Sequence, residues 1–235
     1  MEDTNSKVEL GALYYPSKDW AGNDINFDNL FIPYIYKEIY LEGVYVDVMN
    51  GKKDLVIVDA GANIGITVQY FRNFAKKVYA IEPSPENFAA LKKNKEFNNW
   101  NNVTLCNYAL ADKEGEMEFS MNEANRTMNG LVNNRDKKWM KTVGWKQTIT
   151  VPTKSFKQFM DENEIDEIDF CKFDTEGNED SILRTESFRE VSTRIKAIEI
   201  ELHNADWPDL IQYMVSLGYT ARRYPSSAVI VLLSR

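Results

Sequence analysis

Cysteine is scarce in this sequence: only Cys106 and Cys171 occur in 235 residues. Both lie in apolar, strand-like runs without a neighbour suited to thiol catalysis, and both read as reduced core residues. A chain of this length buries roughly 70% of its unfolded surface and needs no covalent staples. Positive charge is short as well. The 28 Lys and Arg stand against 36 Asp and Glu, a net charge of −8. That balance argues against nonspecific binding to nucleic acid or anionic lipid. No stretch approaches ~18 consecutive apolar residues, so no membrane insertion is expected. The first ten residues are polar and acidic, unlike a basic leader followed by an apolar run. The expectation is a cytoplasmic chain. Internal repeats and low-complexity tracts are missing, and histidine occurs once, as His203.

What is present is alternation. Residues 1–30 are turn-rich and irregular, with a helix expected over 34–41 behind Pro33. From Asp54 onward short apolar runs alternate with helical spacing. Strands are expected over 55–58, 78–81 and 103–110, with helices over 64–74 and 85–97. Ser84 and Pro85 supply the N-cap and first position of the second helix. Residues 111–151 break the rhythm. Two alternating stretches, 116–120 and 147–151, flank an asparagine-rich segment and read as an inserted hairpin with a long loop. The alternation then resumes: helix 155–163, strand 168–174, helix 179–184, strand 194–202, helix 207–217, and strands 219–224 and 228–233. Only Pro225-Ser226-Ser227 separate the last two strands, too short for a crossover, so that pair is antiparallel. The fold class is therefore α/β: a Rossmann-like, seven-stranded methyltransferase-type sheet, mostly parallel, with a C-terminal antiparallel hairpin. Residues 45–235 form this domain. Residues 1–44 are an N-terminal extension, expected to shape an acceptor pocket or a lid.

The loop after the first strand of the domain carries the chemistry. Asp59-Ala60-Gly61-Ala62-Asn63-Ile64-Gly65 joins a buried strand to a helix, the context a nucleotide loop requires. Gly61 allows the turn, Gly65 allows close approach of the helix, and free N–H groups at the helix start can face an anionic group; Ala62 and Asn63 are also expected to bind the cofactor. Asp59 favours a cationic amine over a pyrophosphate, and the methionine end of S-adenosylmethionine carries such an amine. Glu82 ends the next strand, some 20 residues on, where an acid accepts both hydrogen bonds of a ribose diol.

These residues, with Ile81-Glu82-Pro83-Ser84-Pro85, resemble the FkbM family of methyltransferases. Two later blocks agree in order: Ala109-Leu110-Ala111-Asp112 with Gly115, and residues 169–179, reading Asp-Phe-Cys-Lys-Phe-Asp-Thr-Glu-Gly-Asn-Glu. The family more often has a small aliphatic residue at Thr175 and alanine at Asn178. The resemblance covers roughly residues 45–203. It implies S-adenosyl-L-methionine as cofactor, leaving as S-adenosyl-L-homocysteine, with Tyr108, Ala109 and Leu110 flanking its adenine.

Strand alternation puts Lys172, Asp174 and Glu176 on one side near the end of one strand, and Glu199, Glu201 and His203 on one side of the next. Asp174, Glu176 and His203 are the expected catalytic residues at the carboxyl ends of the strands. His203 is the candidate base, and Lys172 with Glu199 a deeper structural pair. No dedicated metal-ligand spacing is visible and no metal ligand is assigned, although Asp174 and Glu176 carry oxygen donors suited to Mg²⁺. The acceptor is expected to be a small molecule, a glycan or a peptide, methylated on a hydroxyl. Three alternatives stay open: a nitrogen acceptor, a nicotinamide-dinucleotide oxidoreductase, and a cofactor-binding module without catalysis.

Overall fold

A computed structural model of the chain describes residues 7–10, 13–16, 32–122, 128–132, 145–203, 207–223 and 230–235. The asparagine-rich segment expected as a loop and the Pro225-Ser226-Ser227 turn lie largely or wholly outside the described residues.

The chain opens with a hairpin, β1 (Lys7–Leu10) against β2 (Leu13–Pro16), where irregular structure was expected. A helix over Ile32–Tyr36 runs into a wider π-type turn over Lys37–Leu41. A short helix, Val46–Met49, follows. The central sheet then begins with β3 (Leu55–Ala60), β4 (Ala75–Ile81) and β5 (Val103–Cys106). β6 (Ala109–Leu110), β7 (Gly115–Asn122), β8 (Gly130–Leu131) and β9 (Trp145–Lys154) form a second, four-stranded sheet. The chain returns to the central sheet with β10 (Phe170–Phe173), β11 (Ala197–Glu201), β12 (Thr220–Arg223) and β13 (Ile230–Ser234). The central order is β12-β13-β11-β10-β3-β4-β5. The five strands from β11 to β5 are parallel, and β13 runs antiparallel to both β11 and β12. The fold class is the one the alternation predicts.

Two of the expected elements differ for local physical reasons. The strand expected over 103–110 divides at Asn107, whose side chain donates to the carbonyl of Glu82 at 2.9 Å. Beyond it Ala109–Leu110 leave the central sheet and pair with Thr153 and Lys154 of β9. The helix expected over 64–74 is confined to Ile66–Phe71. Asn63 and Gly65 are left-handed and belong to the preceding loop. Residues 72–74 turn back toward the last helical turn through Asn73 and Phe74 N–H bonds to Tyr70 and Phe71. A helix over Glu186–Val191, capped by Thr185, was not expected from the sequence.

Each face of the sheet has its own core. Ile57 and Phe170 point to a layer with Tyr45, Phe71, Leu91 and Trp100. Val58, Cys171 and Ile198, one residue on, point to a layer with Phe156, Phe159, Phe188 and Met214. Alternation along strands covered on both faces explains their nearly continuous apolar sequence. The exception is a buried polar row. Asp59, Lys172 and Glu199 sit in register across β3, β10 and β11. That row leads to the site.

Candidate active site

A cavity opens over the carboxyl ends of β3, β4, β10 and β11, where ligands bind in open α/β sheets. It is bounded by the loop after β3, by Ala109 and Leu110, by Phe119 and Leu131 of the second sheet, and by the helical segment 32–41.

At one end stand the loop and Glu82. Gly61 has φ +87°, and a Cβ there would lie 1.7 Å from the carbonyl oxygen of Asp174. Only glycine fits between these two strand ends. Gly65 has φ +95°, and a Cβ would meet Leu91 at 2.6 Å and Trp100 at 2.7 Å. Its role is helix packing, and it does not line the cavity. The N–H groups of Gly61, Ala62, Asn63 and Gly65 are used internally. Gly61 and Ala62 both donate to the carbonyl of Ile81 at 3.0 Å, and Gly65 donates to that of Ala62 at 2.8 Å. Asn63 N–H donates to Glu82 Oε2 at 2.9 Å, and Ser84 N–H to Oε1 at 2.7 Å. Glu82 is 4% exposed and lines the cavity. Burial pushes its carboxyl up to about 7 against the pull of those two N–H groups. Each oxygen keeps a second lone pair for a ligand hydroxyl.

Asp59 is placed differently from expectation. It is fully buried behind the loop, away from the cavity mouth. Its carboxylate accepts from the Thr67 hydroxyl and lies 3.6 Å from Lys172 Nζ. Tyr108 also lies outside the cavity lining, its ring beneath Lys154 Nζ at 4.6 Å. Ala109 and Leu110 do line the cavity.

At the other end Asp174, Glu176, Glu201 and His203 converge. His203 Nε2 lies 3.9 Å from Asp174 Oδ1, 3.7 Å from Glu176 Oε2 and 3.8 Å from Glu201 Oε1. Its Nδ1 lies 3.3 Å from Glu179 Oε1. Glu179, which the sequence reading left without a role, is the organiser. Its Oε1 accepts from Thr175 N–H at 2.8 Å, Thr175 Oγ1 at 2.9 Å and Gly177 N–H at 3.1 Å. The turn it holds keeps Glu176 in the left-handed region, φ 56°, a conformation that costs a non-glycine residue energy and needs such support. Asn178 donates to the Leu110 carbonyl at 2.9 Å and so ties this turn to β6. Both departures from the family pattern, Thr175 and Asn178, thus make hydrogen bonds.

The charges are strongly coupled. Burial would lower the His203 imidazole, but the Glu179 hydrogen bond and the surrounding carboxylates push it up to about 10. It is charged at neutral pH, so in this arrangement it is the counter-ion of the cluster, not the expected free base. Burial and the Asp174 charge push Glu176 up to about 8. The Asp174 charge, with burial, pushes Glu201 up to about 7. Burial would raise Asp174 too, but Lys172 and His203 hold it below its ordinary value. Lys172 Nζ pairs with Asp174 at 3.0 Å and with Asp59, and its charge also acts on Glu199, its expected partner beside it in the row. Glu199 also accepts from the Tyr45 hydroxyl at 3.3 Å. Tyr34 and Glu38, from the N-terminal extension, face the same end of the cavity. A chemistry-bearing signal for them was missing, because nothing local in 32–41 marks which residues meet the strand ends.

Comparison with known proteins gives the family. Residues 59–221 match the Methyltransferase FkbM domain. The chain belongs to the FkbM methyltransferase family. It is 27% identical over 168 residues to Methyltransferase 1 of Beauveria bassiana (strain ARSEF 2860), covering 66% of this chain and 67% of that protein. In fold it is similar to the FkbM methyltransferase of Methylobacillus flagellatus KT, with TM-score 0.52 and 18% identity over 85% of this chain. The match spans 48% of that protein, so this chain spans about half its length. The METTL16 MTase domain is similar in fold, with TM-score 0.54 and 14% identity, covering 91% of this chain and 73% of that one. Among the described residues, no helix of this FkbM chain is long and apolar enough to cross a membrane.

Proposed function

We propose that this FkbM chain transfers the methyl group of S-adenosylmethionine to a hydroxyl of a sugar, glycan or natural product. One observation carries the reading. A single cavity has a ribose-type acid, Glu82, at one end and a cluster of carboxylates at the other. The residues present fit the cofactor: Glu82 has lone pairs to spare for a ribose diol, and Ala109 and Leu110 offer an apolar slot for adenine. The match to the methyltransferase family favours it over a nicotinamide dinucleotide.

S-adenosylmethionine brings a methyl group on a good leaving group, so alignment dominates the barrier. Glu82 fixes the ribose, and Gly61 lets the loop lie close against the Asp174 carbonyl. Asp174 and Glu176 accept hydrogen bonds from the acceptor hydroxyl, aim its oxygen, and as a pair take up the proton it loses on methylation and pass it to solvent. Glu38 and Glu201 accept from neighbouring hydroxyls. Tyr34, 60% exposed on the cavity wall, offers a ring face for a sugar. The N-terminal extension thereby shapes the acceptor pocket. His203 neutralises the carboxylates and is held by Glu179.

The test is transfer of an isotope-labelled methyl group to a panel of glycosides and phenolic glycosides, with the product analysed by NMR. A methyl ether is the expected product. A methylated nitrogen on amine or amide members of the same panel, with the hydroxyl members untouched, would overturn the oxygen assignment.

A further inference from the structure

The Asp174, Glu176 and His203 donor atoms lie within 4.8 Å of one another, and Glu201 adds a third carboxylate at 3.8 Å from the same imidazole nitrogen. We propose that these side chains form a binding site for one divalent cation of the Mn²⁺ or Mg²⁺ type, at the acceptor end of the cavity.

Three features carry it. First, the imidazole is aimed. Glu179 engages Nδ1, so Nε2 is the nitrogen that faces the carboxylates. A carboxylate behind the ring, with the other nitrogen facing the remaining carboxylates, is how metal-binding histidines are oriented, and an ion bound there would displace the proton from that nitrogen. Secondly, the spacing is close to what a cation requires. Donors about 2.1 Å from a small divalent ion lie about 3 Å from one another, so the carboxylate oxygens would close on Nε2 by about 1 Å from 3.7–3.9 Å, and on one another from separations of up to 4.8 Å for Asp174 and Glu176. Side-chain rotation supplies that movement. Thirdly, and independently of the cluster, the cavity holds an unsatisfied group. Glu199 is 1% exposed and lines the same cavity two residues before Glu201, on the same side of β11. Its Oε2 has no hydrogen-bond partner among the described residues. A buried polar oxygen in that state points to a missing partner. Small divalent cations keep several bound waters, and such a water would supply that partner. The imidazole ligand favours Mn²⁺ over Mg²⁺.

A cation here would draw two adjacent acceptor oxygens into place. That use rests on the hydroxyl-acceptor reading above, whereas the site itself does not.

The experiment is a titration of chelator-stripped, full-length protein with Mn²⁺, followed by the electron paramagnetic resonance signal of the free ion. S-adenosylhomocysteine binding is measured by calorimetry on the same samples. One Mn²⁺ per chain is expected, displaced by Mg²⁺ only at about tenfold or greater excess. Asp174→Asn and His203→Gln should weaken Mn²⁺ by more than tenfold, and Glu179→Gln by about tenfold through loss of ring orientation. Conclusions are drawn from variants that still bind S-adenosylhomocysteine as the wild type does. Should one of them misfold, Glu201→Gln supplies the same comparison. Wild-type protein that binds S-adenosylhomocysteine but no Mn²⁺ up to about 1 mM, or folded variants with wild-type Mn²⁺ affinity, would overturn the site. Loss of S-adenosylhomocysteine binding with an intact Mn²⁺ curve would instead count against the cofactor reading alone.

Discussion

At the Glu82 end of the cavity the backbone sets the geometry. Two left-handed glycines, one buried acid and a set of internally paired N–H groups define it, and nearly all of them fall within residues 59–84. At the Asp174 end side chains set the geometry. The carboxylates come from the ends of β10 and β11, the imidazole from just beyond β11, and the wall from a helical segment more than 130 residues earlier in the chain. The first end is a shape that excludes side chains. The second is a balance of charges, in which each group's state depends on the others. The difference teaches that substitutions at the two ends should fail in different ways: by steric strain at one, by altered charge and alignment at the other.

The sharpest way to break the comparison is Gly61→Ala. Its Cβ would fall 1.7 Å from backbone that cannot rotate away, at a φ that alanine rarely adopts. A loss of ~3 kcal/mol or more is expected from strain and overpacking, read as a lower denaturant midpoint. A stability like that of the wild type would show that the loop is looser than described. Next in size is Asp174→Asn. Its shape is kept and its charge removed, so turnover should fall ~100-fold or more, with S-adenosylhomocysteine affinity changed only a few-fold. Equal losses of both would erase the distinction between the two ends.

A pH dependence separates the ends further. Glu82 has its carboxyl raised to about 7 in the folded chain. A ribose diol donates to the ionised form, so S-adenosylhomocysteine should bind up to about tenfold tighter as pH rises from ~6 to ~8. The sign is reversed for the ligand-free fold. The stabilising contribution of the protonated Glu82 is complete below the unfolded carboxyl value, and it is lost as pH rises through about 7. Calorimetry across this range, with Glu82→Gln as the flat control, checks both. The smallest effect is Tyr34→Ala, which should raise the acceptor KM about threefold to tenfold through loss of one ring face and leave cofactor affinity alone. An unchanged KM would remove the N-terminal extension from the acceptor pocket.

The same contrast explains how much was legible in the sequence. The seven-stranded sheet was, because strands buried on both faces leave uninterrupted apolar runs and the three-residue Pro225-Ser226-Ser227 link forbids a crossover. Gly61 and Glu82 were, because their spacing is local. The split of the third strand was not, since it turns on the Asn107 side chain reaching the Glu82 carbonyl. Asp59 was read as facing a ligand because it ends a strand. Its burial depends on Lys172, a partner 113 positions away that supplies the compensating charge. His203 was read as a base from its ordinary value, and four carboxylates, from the turn after β10, the helix that follows it and the end of β11, push it up. Glu179 carried a signal that could have been used: an acid in the first turn of a helix, three residues after Glu176, is well placed to accept the N–H groups of the turn before it.

The central claim is that Glu82 and the loop before it hold S-adenosylmethionine by its ribose. Calorimetric titration of S-adenosylhomocysteine into wild type and Glu82→Ala tests it most directly. The account predicts one site per chain in the wild type and a ~10- to 100-fold weaker one in the variant, the worth of a hydrogen bond to a charged group. Equal affinity in the two proteins, or tighter binding of NADH than of S-adenosylhomocysteine, would contradict it.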